Sequence, residues 1–426
     1  MSRFHVWTIG CQMNKADSVN AISELRRRGH ELVERREEAD ILILNTCVVR
    51  QSAEDRVVGY LSSLKPLKRT PVRRAIVVMG CFVDDIPSLR RRFPYVDAFV
   101  APSDVEGLVG FVEGWSGERK PELPVLMSEE APVVSLLPVA HGCDHHCTYC
   151  IVTLRRGPQR SRPVEELARE ARELVARGAR ELVLLGQNVD SYGRDIPSGP
   201  DLGLLLRAVH DIEGLRRIRF LTSHPADMHP EIIEAVAQLP RVCEHFELAV
   251  QAGDDTILKR MARGYRIAQF RELVGDIRRR IPGASIATDV IVGFPGESSE
   301  QFESTVELVE DLRFDAVHIA CYSPRPGTAA ARLEDDVPGE EKVRRRRSLE
   351  AIQERILGEI NRELVGRTVE ILVDGTRRGR WRGRTRTNKL VFFDAADDWL
   401  GRLARVEITW AGPWSMRGVV RGQSQG

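Results

Sequence analysis

Three short apolar runs rich in β-branched residues, HVWTIG, ILILNT and AIVVMG, mark the first ~115 positions, and each is followed by a polar or amphipathic stretch of helical character. That alternation predicts a small α/β domain with a mostly parallel sheet. From Trp115 to Pro132 (WSGERKPELPVLMSEEAP) periodicity lapses into a Pro-, Glu- and Ser-rich segment, read as a linker. Strand-like runs then return as VVSLLPVA, ELVLLG, RIRFLTS, HFELAV, ASIATDVIVG and AVHIACY, with amphipathic stretches such as PVEELAREARELVARG and SSEQFESTVELVEDL between them. Six β/α repeats within about 190 residues predict a partial parallel barrel, since the closed eight-fold form needs roughly 250. A charged helical stretch, PGEEKVRRRRSLEAIQERILGEINRE, leads to a last segment where TVEILVDG, KLVFFD and LARVEITWAG alternate with glycines and arginines, as in a small β-barrel. The predicted fold is α/β in three domains, spanning 1–116, 129–362 and 363–426.

Composition narrows the class. With 42% hydrophobic and 29% charged residues the chain reads as a soluble globular protein, and no apolar run approaches the roughly 18 residues needed to cross a bilayer. MSRFHVWTIGCQMN lacks an apolar export segment, so a cytoplasmic location is expected. There disulfides are disfavoured, and the eight cysteines are expected to be metal ligands, catalytic thiols or core residues. The net charge of +1 hides one local asymmetry. Between Gly366 and Lys389 lie Arg367, Arg377, Arg378, Arg380, Arg382, Arg384, Arg386 and Lys389 against Glu370 and Asp374, a pattern that suits a phosphate backbone or a solvated face.

The chemistry is concentrated in GCDHHCTYC, which follows the first barrel strand. Cys143, Cys147 and Cys150 supply three thiols within eight positions. A structural zinc site would have to recruit His145 or His146 as a fourth ligand, crowding all four onto one loop. An iron–sulfur cluster on three cysteines leaves one iron without a protein ligand, open to a small molecule. Cys11, Cys47 and Cys81 each fall just after an N-terminal strand, and ligands of open parallel sheets gather beyond the strands' carboxyl ends. This looks like a second three-thiol site, the alternative being three buried cysteines.

CX3CX2C with an aromatic before the last cysteine resembles the radical S-adenosylmethionine enzymes. TIGCQMNKADS, LNTCVVR, GCDHHCTYCIV, LLGQNVDSYG, TSHP, DVIVGFPGE, YSPRPGTAA and GRTRTNKLVFF, in that order, resemble the motifs of the methylthiotransferases over nearly the whole chain. The resemblance implies an N-terminal methylthiotransferase domain, a radical barrel and a C-terminal TRAM domain that binds RNA. It implies two 4Fe-4S clusters, one on Cys143, Cys147 and Cys150 and one on Cys11, Cys47 and Cys81, each with an open iron. At the first, S-adenosylmethionine would be chelated and reductively cleaved to methionine and a 5′-deoxyadenosyl radical. The second would hold or supply sulfur, to be methylated by a second S-adenosylmethionine.

Further residues carry over from the same resemblance. Tyr149 is expected to contact adenine or pack under the loop, and Gln187 and Asn188 to grip the cofactor's amino group and carboxylate. Ser223 and Gln251 are candidates for its ribose and methionine moieties. Gly293 and Gly296 either admit backbone close to adenine or shape a turn. Cys243 and Cys321 are expected in the core. Three departures from the family lie near the rim: Thr153 in place of a proline, an additional Arg155, and FELAVQAGDD in the fourth strand. CQMN after the first strand resembles the branch that modifies N6-isopentenyladenosine beside the tRNA anticodon. The rivals are the N6-threonylcarbamoyladenosine branch and, in another class, a non-catalytic zinc-thiolate RNA-binding protein. Arg380, Arg382, Arg384 and Lys389 are expected to face RNA. The expected partners are the tRNA anticodon stem-loop, an electron donor such as flavodoxin or ferredoxin, and a sulfur donor that the sequence does not identify. No membrane partner and a monomer are expected.

Overall fold

The computed structural model describes residues 1–48, 51–117, 131–197 and 199–423, so most of the stretch read as a linker, 118–130, lies outside the described residues. The chain forms two compact units, one of residues 1–129, 141–145 and 150–159, the other of 130–140, 146–149 and 160–426.

In the first unit, β1 (Arg3–Thr8), α1 (Gln12–Arg27), β2 (Glu31–Leu32), β3 (Ile41–Thr46), α2 (Gln51–Leu64), β4 (Ala75–Gly80), α3 (Ile86–Arg92), β5 (Ala98–Val100) and α4 (Val105–Ser116) follow in order. The sheet is parallel throughout, in the order β2-β1-β3-β4-β5. The strands β3 and β4 are buried along their full length, which explains why they read as unbroken apolar runs rather than as alternations. Leu42, Leu44, Ile76 and Val78 share a cluster with Val57, Leu61 and Leu64 of α2. The alternate residues Ile41, Ile43, Val77 and Met79 share another with Leu25 of α1 and Leu108 and Val112 of α4. Each such side chain taken out of water contributes about 1.5–3 kcal/mol, and the period of two distributes that gain over both faces. After α4 come the two-residue strand β7 (Ala140–His141), preceded by β6 (Val134–Pro138), then the short helix α5 (Val152–Arg156) and β8 (Arg160–Ser161).

The second unit contains all six strands expected of the barrel: β6, β9 (Glu181–Leu185), β10 (Arg217–Leu221), β11 (His245–Glu247), β12 (Ser285–Val292) and β13 (Ala316–Cys321). They run parallel as β6-β9-β10 and β11-β12-β13, with single bridges at Ile218–Val242 and Ser223–Leu248 continuing the order across the middle. Between them lie α6 (Val164–Ala176), α7 (Leu202–His210), α8 (Pro230–Gln238), α9 (Asp255–Arg260), α10 (Ile267–Arg280) and α11 (Ser299–Leu312). Leu167, Ala171 and Val175 of α6, spaced by four, enter the core as one stripe. The SSEQ at the start of α11 forms a capping box, Ser298 accepting from Gln301 N while the Gln301 side chain accepts from Ser298 N.

The long α12 (Gly339–Arg362) leads into β14 (Thr368–Arg377), β15 (Arg380–Thr385), β16 (Leu390–Phe393), β17 (Leu403–Ala411) and β18 (Met416–Gln423). These close into a barrel in the order β14-β15-β16-β18-β17 around Ile371, Val373, Val391, Phe393, Val406, Ile408 and Met416. The barrel is anchored by polar bonds to the N-terminal ends of β9, β10 and β11. Arg217, with a side chain 1% exposed, donates to Arg384 O at 2.6 Å and pairs with Glu370 at 3.1 Å. Arg219 donates to Arg386 O (2.9 Å) and pairs with Glu181 (2.9 Å), while Arg386 pairs with Glu244 (2.6 Å). Buried cations are tolerable only when so partnered.

Candidate functional site

At the carboxyl edge of the first sheet, β1, β3 and β4 are neighbours, and Cys11, Cys47 and Cys81 follow their last residues by three, one and one positions. The structure therefore gathers the N-terminal trio. Cys81 N bonds to Thr46 O at 2.9 Å, and Gly10, at φ +139°, lies so close to Cys47 that a Cβ there would sit 2.5 Å from the cysteine Cβ. Only glycine permits that approach. Cys47 and Cys81 are buried, whereas Cys11 caps α1 from an exposed position, its thiol 3.2 Å from Asn14 Oδ1. Beneath them Asn14 bonds to Asn45 Oδ1 and to Thr46 O, both at 3.0 Å, tying the α1 end to β3.

The sequence reading missed the charge in this site. Arg156 of α5, with a side chain only 4% exposed, pairs with Asp17 at 3.0 Å, and Ser103 bonds to both. Burial pushes the Cys81 thiol up, and Arg156 opposes that shift by charge and by a hydrogen bond. Three thiols around one strand edge, with a cation against one of them, make a donor set that fits an anionic iron–sulfur cluster with three protein ligands. The unexpected Arg155 has a partner too, Asp84 at 2.6 Å.

Cys143, Cys147 and Cys150 follow β6 in one continuous loop, and all three are partly exposed. At its middle, Thr148 N bonds to Met261 O (3.0 Å), Thr148 Oγ1 to Arg260 O (2.8 Å) and Ala330 N to Thr148 O (2.8 Å). Tyr149 packs against the core of the second unit. Arg263, 4% exposed, donates to Cys147 Sγ at 3.3 Å, another contact that no local pattern announced.

The other expected cofactor residues stand at the same, C-terminal end of the strands. Gln187 and Asn188 follow β9, Ser223 follows β10, Gln251 follows β11 and Gly293 follows β12. Thr222 and Gln251 both have φ +73°, left-handed backbone in non-glycine residues of the kind that accumulates at functional rims. Gln187 Oε1, Asn188 Oδ1 and Asp190 Oδ2 are buried without a hydrogen-bond partner, a cluster of acceptors suited to a donor such as an ammonium group. Asn188 Nδ2 is taken by Asp227 at 2.5 Å, and the Ser223 hydroxyl donates to Asp190 at 2.9 Å. Asp190 is held well above the usual carboxylate range by burial, against the pull of Ser223.

At Gly293 (φ +69°) a Cβ would lie 2.3 Å from Lys342 Cγ, and its amide donates to Glu297 at 2.6 Å. Packing of this turn on α12 is enough to require glycine here. Gly296 likewise packs beneath Arg260. Lys389, expected to face RNA, is paired with Asp315 at 2.9 Å with its side chain 11% exposed, where the turn after β15 packs beside the start of β13. Arg380, Arg382 and Arg384 stay at the surface along β15, the first two paired with Asp394 (3.3 Å) and Asp374 (3.0 Å). Cys243 is buried against Arg219, its Sγ accepting at 3.4 Å, and Cys321 is half-buried against the core.

Comparison with known proteins fits this geometry. Residues 137–309 match the Radical SAM superfamily, 3–101 the uncharacterized protein family UPF0004, and 362–420 the TRAM domain. Among solved structures, a radical S-adenosylmethionine methyltransferase from Kitasatospora setae, solved with cobalamin and a 4Fe-4S cluster, aligns over 90% of this chain and 81% of its own. Its TM-score is 0.57 at 14% identity, a likeness of fold. The chain is a radical S-adenosylmethionine enzyme, a class that works with that cofactor and an iron–sulfur cluster. A Roseiflexus sp. (strain RS-1) protein is 50% identical over 98% of this chain and 89% of its own length; one from Herpetosiphon aurantiacus is 45% identical over 99% and 98%. Both are named tRNA-2-methylthio-N(6)-dimethylallyladenosine synthase, and the chain belongs to their family.

Proposed function

We propose that the chain is a tRNA methylthiotransferase that places a methylthio group on C2 of N6-isopentenyladenosine beside the anticodon. The reading is carried by one coincidence: a three-thiol loop at the C-terminal end of β6, on a chain that aligns over nearly its whole length with relatives of that name. When bound, a 4Fe-4S cluster and S-adenosylmethionine supply the one-electron chemistry needed to take hydrogen from an unactivated aromatic carbon.

The protein's own residues hold and orient. Cys143, Cys147 and Cys150 ligate the first cluster and leave one iron open. Gln187 Oε1, Asn188 Oδ1 and Asp190 Oδ2 accept from the amino group of the methionine moiety, while Ser223 fixes Asp190 in place. Gln251 and Tyr149 border the cofactor. Cys11, Cys47 and Cys81 ligate a second cluster that carries the sulfur, and Arg380, Arg382 and Arg384 hold tRNA phosphates. This division of labour follows the parts 1–116, 129–362 and 363–426. A cytoplasmic enzyme fed by a small reductant suits it, and among the described residues no helix is long and apolar enough to cross a membrane.

The test is mass spectrometry of tRNA nucleosides from a strain deleted for this gene, with and without the gene restored. The methylthio derivative of isopentenyladenosine should appear only on restoration. A methylthio group on threonylcarbamoyladenosine instead would move the substrate to the rival branch, and no methylthio nucleoside at all would end the reading.

A further inference from the structure

The guanidinium of Arg263 is enclosed by the protein, yet no carboxylate among the described residues pairs with it. Its Nη2 donates to Ala249 O (2.6 Å), its Nε to Tyr265 Oη (3.2 Å) and its Nη1 to Cys147 Sγ (3.3 Å). Tyr265 in turn donates to Val250 O at 2.8 Å, so the frame around the cation is fixed. Two of these three acceptors are neutral and uncharged. A buried full charge without a counter-ion is costly, and of the two partners that can become anionic, the Cys147 thiol and the Tyr265 phenol, the thiol is the more acidic and the one that can ligate a metal. The other buried arginines beside a cysteine differ on this point, since Arg156 is neutralised by Asp17 at 3.0 Å and Arg219 by Glu181 at 2.9 Å.

We propose that Arg263 is the counter-charge of the cluster held by the Cys143–Cys147–Cys150 loop and sets its reduction potential through Cys147. This rests on the ligand assignment made above. A cluster bound by three thiolates is anionic and gains another negative charge on one-electron reduction, so a fixed cation bonded to a ligand sulfur favours the reduced form. Net charge and hydrogen bonds to the sulfurs are the terms that tune such potentials, and Arg263 supplies both at one atom. Arg263 is a positioning and tuning residue here; it acts through Cys147.

The experiment uses the full chain with Cys11, Cys47 and Cys81 replaced by Ala, reconstituted without oxygen, so that one cluster is titrated. Iron content and the electron paramagnetic resonance signal of the reduced protein are read first, and absence of iron would sink the ligand assignment and the inference together. Redox titration then compares this protein with its Arg263→Gln and Arg263→Lys variants. At the parent's midpoint, Arg263→Gln should lower the reduced-to-oxidised ratio about tenfold, or about 59 mV for a one-electron couple. Arg263→Lys, which keeps the charge, should stay within about twofold of the parent. Loss of the cluster in the Gln variant with retention and a near-parental potential in the Lys variant supports the same assignment. Parental potentials in both variants, equal shifts in both, or loss of the cluster in both overturns it.

Discussion

Arg156 and Asp17 stand 139 positions apart in sequence and 3.0 Å apart in space, with side chains 4% and 2% exposed. The pair sits under the three N-terminal cysteines, and its two charges have no water to fall back on. Asp17→Asn leaves the guanidinium unpaired, which is expected to cost about 3–5 kcal/mol of stability. Chemical denaturation followed by the near-ultraviolet signal of Trp7, which stacks on Tyr60 at 4.1 Å within the same unit, would report it. An unchanged midpoint would mean that the pair is solvated in solution.

Arg217 is expected to govern the attachment of the C-terminal barrel. Its guanidinium reaches Arg384 O and Glu370 while being almost wholly enclosed. Arg217→Ala removes its bonds to Arg384 O, Glu370 O and Glu370 Oε1, at about 1–3 kcal/mol for each buried acceptor left without a partner. Limited proteolysis near α12 should become several-fold faster, with the barrel itself resisting longer than its attachment. Cleavage at the parental rate would show that apolar packing alone suffices.

His245 gives that attachment a pH dependence. Its ring is bonded to Ser285 Oγ at 2.9 Å and faces Asn388 at 3.3 Å. Burial, with Arg219, Arg384, His318 and Lys389 nearby, lowers its pKa well below the ordinary 6.5. The unfolded chain therefore binds a proton that the folded ring refuses, so stability is full above about pH 6.5 and falls as the pH drops toward the lowered folded value. His245→Gln should flatten the dependence of the urea midpoint on pH across that window. A parental slope in this variant would assign the effect to other groups.

The basic strand separates two roles that its sequence merges. Replacing Arg380, Arg382 and Arg384 with Ala should weaken tRNA binding and reduce the salt slope by about 0.7–0.9 for each phosphate no longer held. Lys389→Ala should leave that slope alone and lower stability instead, because its ammonium belongs to Asp315. A slope that dropped with Lys389→Ala would return this lysine to the RNA surface. Both variants can be measured by nitrocellulose filter retention over a range of salt concentrations.

Local pattern was enough for the strands. All six barrel runs and the three N-terminal ones lie where period, β-branching and length placed them; β3 and β4, buried along their full length, show why such strands read as largely apolar runs. Cys11, Cys47 and Cys81 were legible for a related reason: position relative to a strand end is a local property, and parallel pairing then brings the ends together. Arg156, Arg263 and Lys389 were not. Each takes its meaning from a partner 139, 116 or 74 positions away, and an arginine in RRG or ARGY looks the same whether it meets solvent or a buried thiol. Gly293 left two readings open for the complementary reason, since a glycine in a turn reports close approach without naming what approaches.

The polar seam between the C-terminal barrel and the starts of β9, β10 and β11 makes the radical strands themselves into a ruler. Cys147 lies past one end of those strands, and Arg380, Arg382 and Arg384 of β15 lie beside the other. The five-residue strands β9 and β10 set the interval between them, roughly 16 Å at ~3.3 Å per residue. If RNA is gripped at β15, it would meet the rim at a fixed stride along its own backbone, and a nucleotide one or two steps off that mark would be passed over whatever its base. Choice of position would then be geometric before it is chemical.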